Sequence, residues 1–313
     1  MTDTGPLFVS SGDLIADRRY QWALDLAARG DLAGATDLLT QTLELAPGFA
    51  AAWFTLGTVR DRRGDRDGAV AAFARARDTD PTDAQGARLQ LARLGADEAA
   101  PPMSETYVRR LFDQYAGRYD TALTEHLRYR GPAVLREAVE QVMREAGRVP
   151  HFGAVLDLGC GTGLAGAAFR SLAGRITGVD LSPAMIAKAA EKGIYDHTTV
   201  ASFADFLAGA AAAREGYDLV LAADALVYVN DLAPIVAGIG EILAPGGLLA
   251  FTAETHSGDG IKLLPTLRFA HGESYVRAIL GANGLTVRRL AKTSVRSEKG
   301  VPVEGLVVVA AAP

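Results

Sequence analysis

The stretch Val155-Leu-Asp-Leu-Gly-Cys-Gly-Thr-Gly-Leu-Ala-Gly166 decides how the second half of this chain is interpreted. An apolar run ends at Asp157, and glycines follow at Gly159, Gly161 and Gly163 before a segment that can form a helix. This order predicts a buried strand, a tight turn and a helix start. Glycines let the backbone approach a ligand closely, and the first N–H groups of a helix lack intrahelical partners. The sequence therefore predicts a ligand site at the carboxyl end of this strand.

Two ligand classes fit such a turn. Residues 161–166 match G-x-G-x-x-G, the turn on which a dinucleotide places its pyrophosphate. S-adenosylmethionine uses the same turn differently, because an acidic residue before the glycines can contact its ammonium group. Asp157 occupies that position, where a dinucleotide turn more usually carries an apolar residue. A turn that binds no ligand is the third interpretation.

A second strand at about 175–179 follows an alanine-rich helix. This βαβ pattern predicts an open parallel sheet whose ligands bind beyond the carboxyl ends of the strands. Asp180 ends the second strand, where a carboxylate can accept hydrogen bonds from ribose hydroxyls. That role suits both ligand classes, so Asp180 indicates adenosine without distinguishing them.

The patterns Asp157-x-Gly159-x-Gly161-x-Gly163 and Asp180-x-Ser182-x-x-Met185 closely resemble two motifs of class I S-adenosylmethionine-dependent methyltransferases. The resemblance implies an α/β fold, with a doubly wound, mostly parallel seven-stranded sheet, and S-adenosylmethionine as cofactor. It implies that the cofactor contacts the following residues: Tyr115, Asp157, Gly159, Cys160, Gly161, Gly163, Asp180, Leu181, Met185, Asp205 and Phe206.

Two parts of this expectation have local alternatives. In the resembling family an acidic residue after the third strand, here about 198–203, bonds the adenine amino group, and Asp205 matches it with Phe206 beside the ring. Asp205 can equally cap a helix. The segment 112–120 resembles one that folds over the cofactor, so we expect a helical lid at about 104–147, in which the aromatic residues can also simply pack on the core.

Methyl transfer from a sulfonium is an in-line displacement, and much of its acceleration can come from aligning the acceptor. A general base is needed only if the acceptor must lose a proton. The candidates are His256, His271 and Tyr228, with His126 a weaker one, although each histidine can also be structural. The histidines and the lone Cys160 show no metal-ligand spacing, so no metal site is expected.

The first third of the chain repeats itself with a period of 34 residues, so that Gly30-Asp31 and Pro47 recur as Gly64-Asp65 and Pro81. This period is typical of tetratricopeptide helix pairs. We expect two repeats and a capping helix within residues 1–100, followed by the methyltransferase domain at 101–313. The repeats can bind a protein partner on a concave surface, or serve only for packing or self-association.

The chain has 313 residues and a net charge of −5, which argues against a nucleic-acid-binding face. No apolar run reaches the roughly 18 residues of a membrane helix, and one cysteine agrees with a reducing compartment, so we expect a cytoplasmic protein. The full chain resembles a group of predicted methyltransferases with amino-terminal tetratricopeptide repeats.

The leading hypothesis is a methyltransferase acting on a small molecule. A loose resemblance to enzymes that methylate quinone precursors or a carrier-bound malonyl group favours an oxygen or carboxylate acceptor. Three alternatives stay open: a methyltransferase whose repeats recruit a protein or a carrier-bound substrate, a non-catalytic binder in which the repeats are the functional part, and a dehydrogenase.

Overall fold

The computed structural model describes residues 9–121, 129–298 and 300–313. Its chain divides into two compact units, Met1–Tyr107 and Val108–Pro313. The candidate base His126 and residues 122–128 of the expected lid lie outside the described residues.

The first unit consists of paired helices that follow the 34-residue repeat. Equivalent aspartates begin the second helix of each pair, since Asp31 accepts a hydrogen bond from the Gly34 N–H at 2.9 Å and Asp65 from that of Gly68 at 3.0 Å. Such side-chain acceptors satisfy N–H groups that a helix start leaves unpaired. The helices are α1 (Leu14–Ala28), α2 (Leu32–Leu45), α3 (Ala50–Arg62), α4 (Arg66–Thr79) and α5 (Ala87–Arg93).

Small residues let the helices of the second repeat approach closely. Phe73 of α4 is 1% exposed, and a Cβ on Gly57 of α3 would lie 2.7 Å from its ring. Trp53 donates a hydrogen bond from its indole nitrogen to the Pro47 carbonyl at 2.8 Å. The expected packing of Phe73 between the paired helices is confirmed.

The second unit begins within α6 (Glu105–Tyr115) and is built on a twisted sheet with strand order β3-β2-β1-β4-β5-β11-β8. Neighbours from β3 to β5 are parallel, whereas β11 is antiparallel to both β5 and β8. The doubly wound α/β class, including its antiparallel end, is confirmed. The strands are β1 (Phe152–Leu158), β2 (Ala173–Asp180), β3 (His197–Val200), β4 (Tyr217–Ala222), β5 (Leu243–Glu254), β6 (Ile261–Leu263), β7 (Phe269–His271), β8 (Thr286–Thr293), β9 (Ser297–Glu298), β10 (Val301–Pro302) and β11 (Gly305–Ala311).

Both faces of the sheet are covered, which is why its central strands are almost continuously apolar. Leu156 and Leu158 of β1 join the apolar cluster on one face, and Val155 joins the cluster on the other. The remaining helices are α7 (Tyr119–Thr121), α8 (Gly131–Glu145), α9 (Leu164–Phe169), α10 (Pro183–Glu191), α11 (Phe203–Ala212), α12 (Ala233–Ile242) and α13 (Glu273–Ala282).

Two local features differ from what the sequence pattern predicts. Gly258, Gly260 and Pro265 predict a loop between β5 and α13, but this segment contains β6 and β7, and β7 pairs with the end of β5 at Glu254. The Pro245-Gly-Gly247 turn predicts that β5 begins at about residue 248, but β5 begins at Leu243, with a register shift against β4. Gly246 absorbs this irregularity because its φ of +70° is accessible to glycine.

Candidate active site

The glycine turn after β1 uses conformations that favour glycine. Gly159 and Gly161 have φ values of +72° and +54°. A Cβ on Gly159 would lie 2.5 Å from the Ala225 Cβ and 3.2 Å from the Phe203 ring, so this position also needs the missing side chain. A Cβ on Gly161 would lie 3.8 Å from the ring of Tyr119.

The N–H groups of this turn already have acceptors within the protein. Those of Gly159 and Cys160 donate to the Val179 carbonyl at 2.8 and 3.0 Å. The Gly161 N–H donates to Oδ2 of Asp180 at 2.9 Å. Three amides of the turn are therefore hydrogen-bonded to β2.

Asp157 is the penultimate residue of β1, and its side chain is fully buried. Its Oδ2 accepts a hydrogen bond from the Tyr195 hydroxyl at 2.7 Å, whereas its Oδ1 has no hydrogen-bond partner in the described part of the chain. Burial raises the pKa of Asp157 to about 6, against the hydrogen bond from Tyr195, which lowers it. One buried carboxylate oxygen is thus left to accept from a ligand.

Hydrogen bonds connect the carboxyl end of β2 to the start of α10 and to α6. Asp180 accepts from the Ser182 N–H at 2.9 Å through Oδ1, and burial raises the pKa of this carboxyl. The Ser182 hydroxyl accepts from the N–H of the buried Met185 at 3.1 Å, as expected for the start of α10. The same hydroxyl donates to Asp113 of α6 at 2.5 Å. Asp113, which the sequence motifs did not single out, therefore ties α6 to the cofactor motifs.

Further contacts link the expected lid to this edge of the sheet. Arg109 donates from Nε to the Leu181 carbonyl at 3.3 Å. The Phe112 ring lies edge-on to the ring of Tyr228, with centroids 5.0 Å apart, and 6.1 Å from the ring of Tyr119.

Tyr115 and Tyr119 of the expected lid differ in their exposure and in their neighbours. Tyr115, the expected cofactor contact, is 40% exposed, and the Arg118 guanidinium lies 5.1 Å from its ring centroid. Tyr119 instead lies against Gly161, and burial raises its pKa well above the ordinary value. Tyr119 is therefore the tyrosine beside the glycine turn, and the sequence resemblance did not distinguish it from its neighbour.

The acidic and aromatic residues after β3 belong to the start of α11. Ser202 caps this helix, because its hydroxyl accepts from the Asp205 N–H at 3.2 Å. The same hydroxyl donates to the exposed Asp205 carboxylate at 2.8 Å. Phe206 is half-buried against the apolar core, whereas Phe203 is the aromatic residue beside Gly159. A contact between Asp205 and a cofactor stays a prediction.

A buried ion-pair cluster lies at the carboxyl ends of β4 and β5. Arg296, 2% exposed, pairs with Asp224 and Glu254, and its Nε lies 3.4 Å from Glu298. Arg268 also pairs with Glu298 and lies 3.6 Å from Glu254. Arg296 follows β8 in a segment without a motif, so no sequence signal indicated it.

The two candidate histidines make hydrogen bonds to nearby backbone groups. Nδ1 of His256 accepts from the Gly258 N–H at 3.1 Å, and its Nε2 lies 3.3 Å from the Gly260 carbonyl. His271 is buried on β7, with Nε2 2.9 Å from the Asn230 carbonyl, and burial lowers its pKa. Its Nδ1 has no hydrogen-bond partner among the described residues.

Tyr228, the third candidate, lies in a helical turn directly after β4 and is half-buried. Burial raises the pKa of its hydroxyl and Asp224 adds to this effect, while Arg268 acts against it. Tyr228 is therefore protonated near neutral pH and can donate a hydrogen bond at the site.

Among the described residues, no cluster of three or more His, Cys, Asp or Glu side chains is arranged to hold a metal ion. No described helix combines the length and apolar composition needed to cross a membrane.

Comparison with known proteins finds a family match in each unit. Residues 156–249 match the family described as methyltransferase domain, and residues 26–94 match the tetratricopeptide repeat. The magnesium protoporphyrin IX methyltransferase from Synechocystis PCC 6803, solved with bound S-adenosylhomocysteine, shares the fold. Its TM-score is 0.52 at 18% identity, over 67% of this chain and 99% of that one.

Curated relatives are similar over shorter stretches. Methyltransferase-like protein 27 from Homo sapiens is 30% identical over 172 residues, which cover 53% of this chain and 64% of that protein. Ubiquinone biosynthesis O-methyltransferase from Bradyrhizobium sp. (strain ORS 278) is 35% identical over 102 residues, 30% of this chain and 37% of that protein. The chain thus spans less than two thirds of the length of either relative. One stretch of each unit thus matches a known family, and the second unit shares the fold of a solved methyltransferase.

Proposed function

We propose that this chain is an S-adenosylmethionine-dependent methyltransferase acting on a small molecule. The observation that carries the proposal is the chemistry of the glycine turn: Asp157 and Asp180 lie beside it, and the amides of Gly159, Cys160 and Gly161 have acceptors within the protein. Gly161 donates to Asp180, and the buried Asp157 keeps one oxygen without a hydrogen-bond partner among the described residues.

These features favour a cationic ligand over a pyrophosphate. A pyrophosphate needs free backbone N–H groups, yet those of Gly159, Cys160 and Gly161 are already bonded. It would also meet the negative charge of Asp157, which lies directly before the turn. A zwitterion with an ammonium and a sulfonium group has the complementary charge, so the dehydrogenase alternative is disfavoured.

In the proposed complex, Asp157 accepts a hydrogen bond from the ammonium group and Asp180 from the ribose. Met185 and the aromatic residues at the start of α11 border the adenine. The cofactor supplies an activated methyl group on a sulfonium, so the protein's main task is to align the acceptor. The other proposed cofactor contacts are Tyr115, Gly159, Cys160, Gly161, Gly163, Leu181, Asp205 and Phe206.

The proposed acceptor site lies at the carboxyl ends of β4 and β5, beside Tyr228 and Asp224. An oxygen acceptor is favoured, because two relatives named ubiquinone biosynthesis O-methyltransferase are 35% and 36% identical to this chain over 102 and 107 residues. We propose Tyr228 as the first catalytic candidate, as a hydrogen-bond donor that orients the acceptor. His256 and His271 are the second and third candidates. To act on the acceptor, each would have to give up the contact between its Nε2 and a backbone carbonyl.

The test is to titrate the purified full chain with S-adenosylmethionine, S-adenosylhomocysteine and NAD by calorimetry. Methyl transfer from labelled cofactor is then measured on panels of hydroxylated, carboxylated and amine acceptors. Binding of both adenosyl ligands, with transfer to a hydroxylated acceptor, is the expected result. Binding of NAD alone would overturn the proposal.

A second candidate function is that the repeats recruit a protein or a carrier-bound substrate. The observation that favours it is a set of exposed apolar side chains in the repeat unit: Leu14 (85% exposed), Ile15 (61%), Trp22 (54%) and Leu45 (44%). Replacing Trp22 by Ala should then lower transfer to a tethered acceptor and leave transfer to a free one unchanged. Equal rates on both acceptors would contradict recruitment through this residue.

A further inference from the structure

Three glycines of the methyltransferase unit surround the ring of Tyr195, which precedes β3. A Cβ on Gly178 would lie 2.9 Å from this ring and one on Gly163 would lie 3.1 Å from it. A Cβ on Gly166 would overlap the Tyr195 hydroxyl. These glycines therefore make room for a side chain of the protein itself, whereas Gly159 and Gly161 have other neighbours.

The hydroxyl of Tyr195 reaches the motif carboxylate through this space. It donates to Oδ2 of Asp157 at 2.7 Å, while Oδ1 has no hydrogen-bond partner among the described residues. A hydrogen bond on one carboxylate oxygen fixes the direction of the other. We infer that Tyr195 is a positioning residue that holds Asp157 so that its second oxygen accepts the ammonium group of S-adenosylmethionine. This inference rests on the proposed function.

The proton between the two side chains stays on the tyrosine. Burial and the Asp157 charge raise the pKa of Tyr195 far above its ordinary range, so its hydroxyl is the donor. The bond stabilises the carboxylate form and lowers the pKa of Asp157, which burial raises to about 6.

The backbone N–H of Gly166 also lowers the pKa of Asp157, and this contact is unchanged in a Tyr195 variant that keeps the ring. The other side chains around Asp157 do not act in this way. Asp180 carries a like charge and raises the pKa of Asp157. Burial raises the pKa values of Cys160 and Tyr129, which stay neutral. Tyr195 is thus the described side chain that donates a hydrogen bond to this carboxylate.

The variant Tyr195→Phe keeps the ring among the glycines and removes the donor. Without it, more of Asp157 is protonated at neutral pH. We expect the Kd for S-adenosylhomocysteine to rise about tenfold at pH 7, as for loss of one hydrogen bond to a charged group. Binding should recover towards the wild-type value at pH 8.5, because the carboxylate forms again. Calorimetry of the full chain between pH 5.5 and 8.5 measures both effects.

Two controls separate positioning from packing. Tyr217→Phe removes another tyrosine hydroxyl, which donates to Glu215 at 2.7 Å, and should leave the Kd unchanged at every pH. In an Asp157→Asn background, Tyr195→Phe should weaken binding no further, because the carboxylate through which it acts is gone.

Three outcomes would overturn the inference. The Tyr195→Phe variant could bind S-adenosylhomocysteine with the wild-type Kd and pH profile. It could instead lose the same affinity at all pH values and also in the Asp157→Asn background, as a packing defect would. If the wild-type chain bound neither adenosyl ligand, the proposed function would fail first and the inference with it.

Discussion

Asp157 is held in an environment that disfavours its own charge. Its burial raises the pKa from 3.8 in model compounds to about 6. Above pH 6 the ionised carboxylate costs stability, because the folded state would bind the proton more tightly than the unfolded chain does. Functional sites commonly retain such groups because a ligand needs the charge.

We therefore expect Asp157→Asn to separate stability from function. At pH 8 the variant should be as stable as the wild type or more stable, by up to about 2 kcal/mol, because no charge is buried. Its Kd for S-adenosylhomocysteine should rise about 10- to 100-fold, as one charged hydrogen-bond acceptor is lost. Urea unfolding and calorimetry measure the two quantities. A large loss of stability would show that Asp157 is structural.

The space around Tyr195 gives a second prediction for a single residue. In Gly178→Ala the new methyl group would press on the Tyr195 ring, and we expect a loss of about 1–3 kcal/mol of unfolding free energy. Gly209 of α11 is the matched control, because a Cβ there meets no atom within 4 Å. Gly209→Ala should stabilise the protein by about 0.5–1 kcal/mol, since alanine favours helix. Equal effects of the two substitutions in thermal unfolding would show that Gly178 is not needed to leave space for the Tyr195 ring.

At the scale of elements, Arg296 joins the segment after β8 to the carboxyl ends of β4 and β5. Its guanidinium pairs with Asp224 and Glu254, and all three side chains are largely removed from solvent. Asp224 holds a φ of +57°, and its N–H donates to the Thr252 hydroxyl at 2.8 Å. The cluster thus fixes the loop on which Tyr228 and the proposed acceptor site depend.

Removing the guanidinium would leave the buried Asp224 and Glu254 without their nearest cation, and Arg268 only partly replaces it. We expect Arg296→Met to cost about 3–5 kcal/mol of unfolding free energy at pH 7.5. Burial raises the pKa values of both carboxyls and Arg296 lowers them, so the variant should bind protons more readily in the folded state. Its stability deficit should therefore shrink at pH 5.5.

Urea unfolding at both pH values measures this difference. Arg288→Met is the control, because Arg288 is exposed on β8 and its replacement should change stability by less than about 0.5 kcal/mol. A deficit of Arg296→Met that is the same at both pH values would exclude the carboxylates as its cause.

At the scale of the whole molecule, each unit has its own apolar core. The clusters around Leu39 and Phe73 contain residues of the repeat unit, and those around Leu156 and Val155 contain residues of the methyltransferase unit. A ligand that binds one folded unit stabilises that unit by mass action.

We expect S-adenosylhomocysteine at 100 times its Kd to stabilise the methyltransferase unit by about 2.7 kcal/mol. Hydrogen exchange should then show slower exchange of the amides in β1, β2 and α10, with little change in α1 to α4. Protection of the repeat helices to the same extent would contradict a site confined to the methyltransferase unit.

The sequence by itself determined the repeat period, the βαβ order and the glycine turn. These are local patterns in which spacing alone specifies a conformation: a 34-residue repeat, alternating strands and helices, and glycines at positive φ. The open parallel sheet followed from the βαβ order, and the class I fold was implied by the resemblance of the motifs around Asp157 and Asp180.

Only the tertiary structure decided which side chains meet. Tyr195 lies 38 positions from Asp157, and Arg296 lies 72 positions from Asp224, so no local pattern links either pair. The structure also shows that Gly163, Gly166 and Gly178 leave space for the Tyr195 ring, whereas Gly159 and Gly161 lie against other residues. The physical reason is that contacts between distant segments depend on how the sheet and its covering helices pack, which no single stretch of sequence encodes.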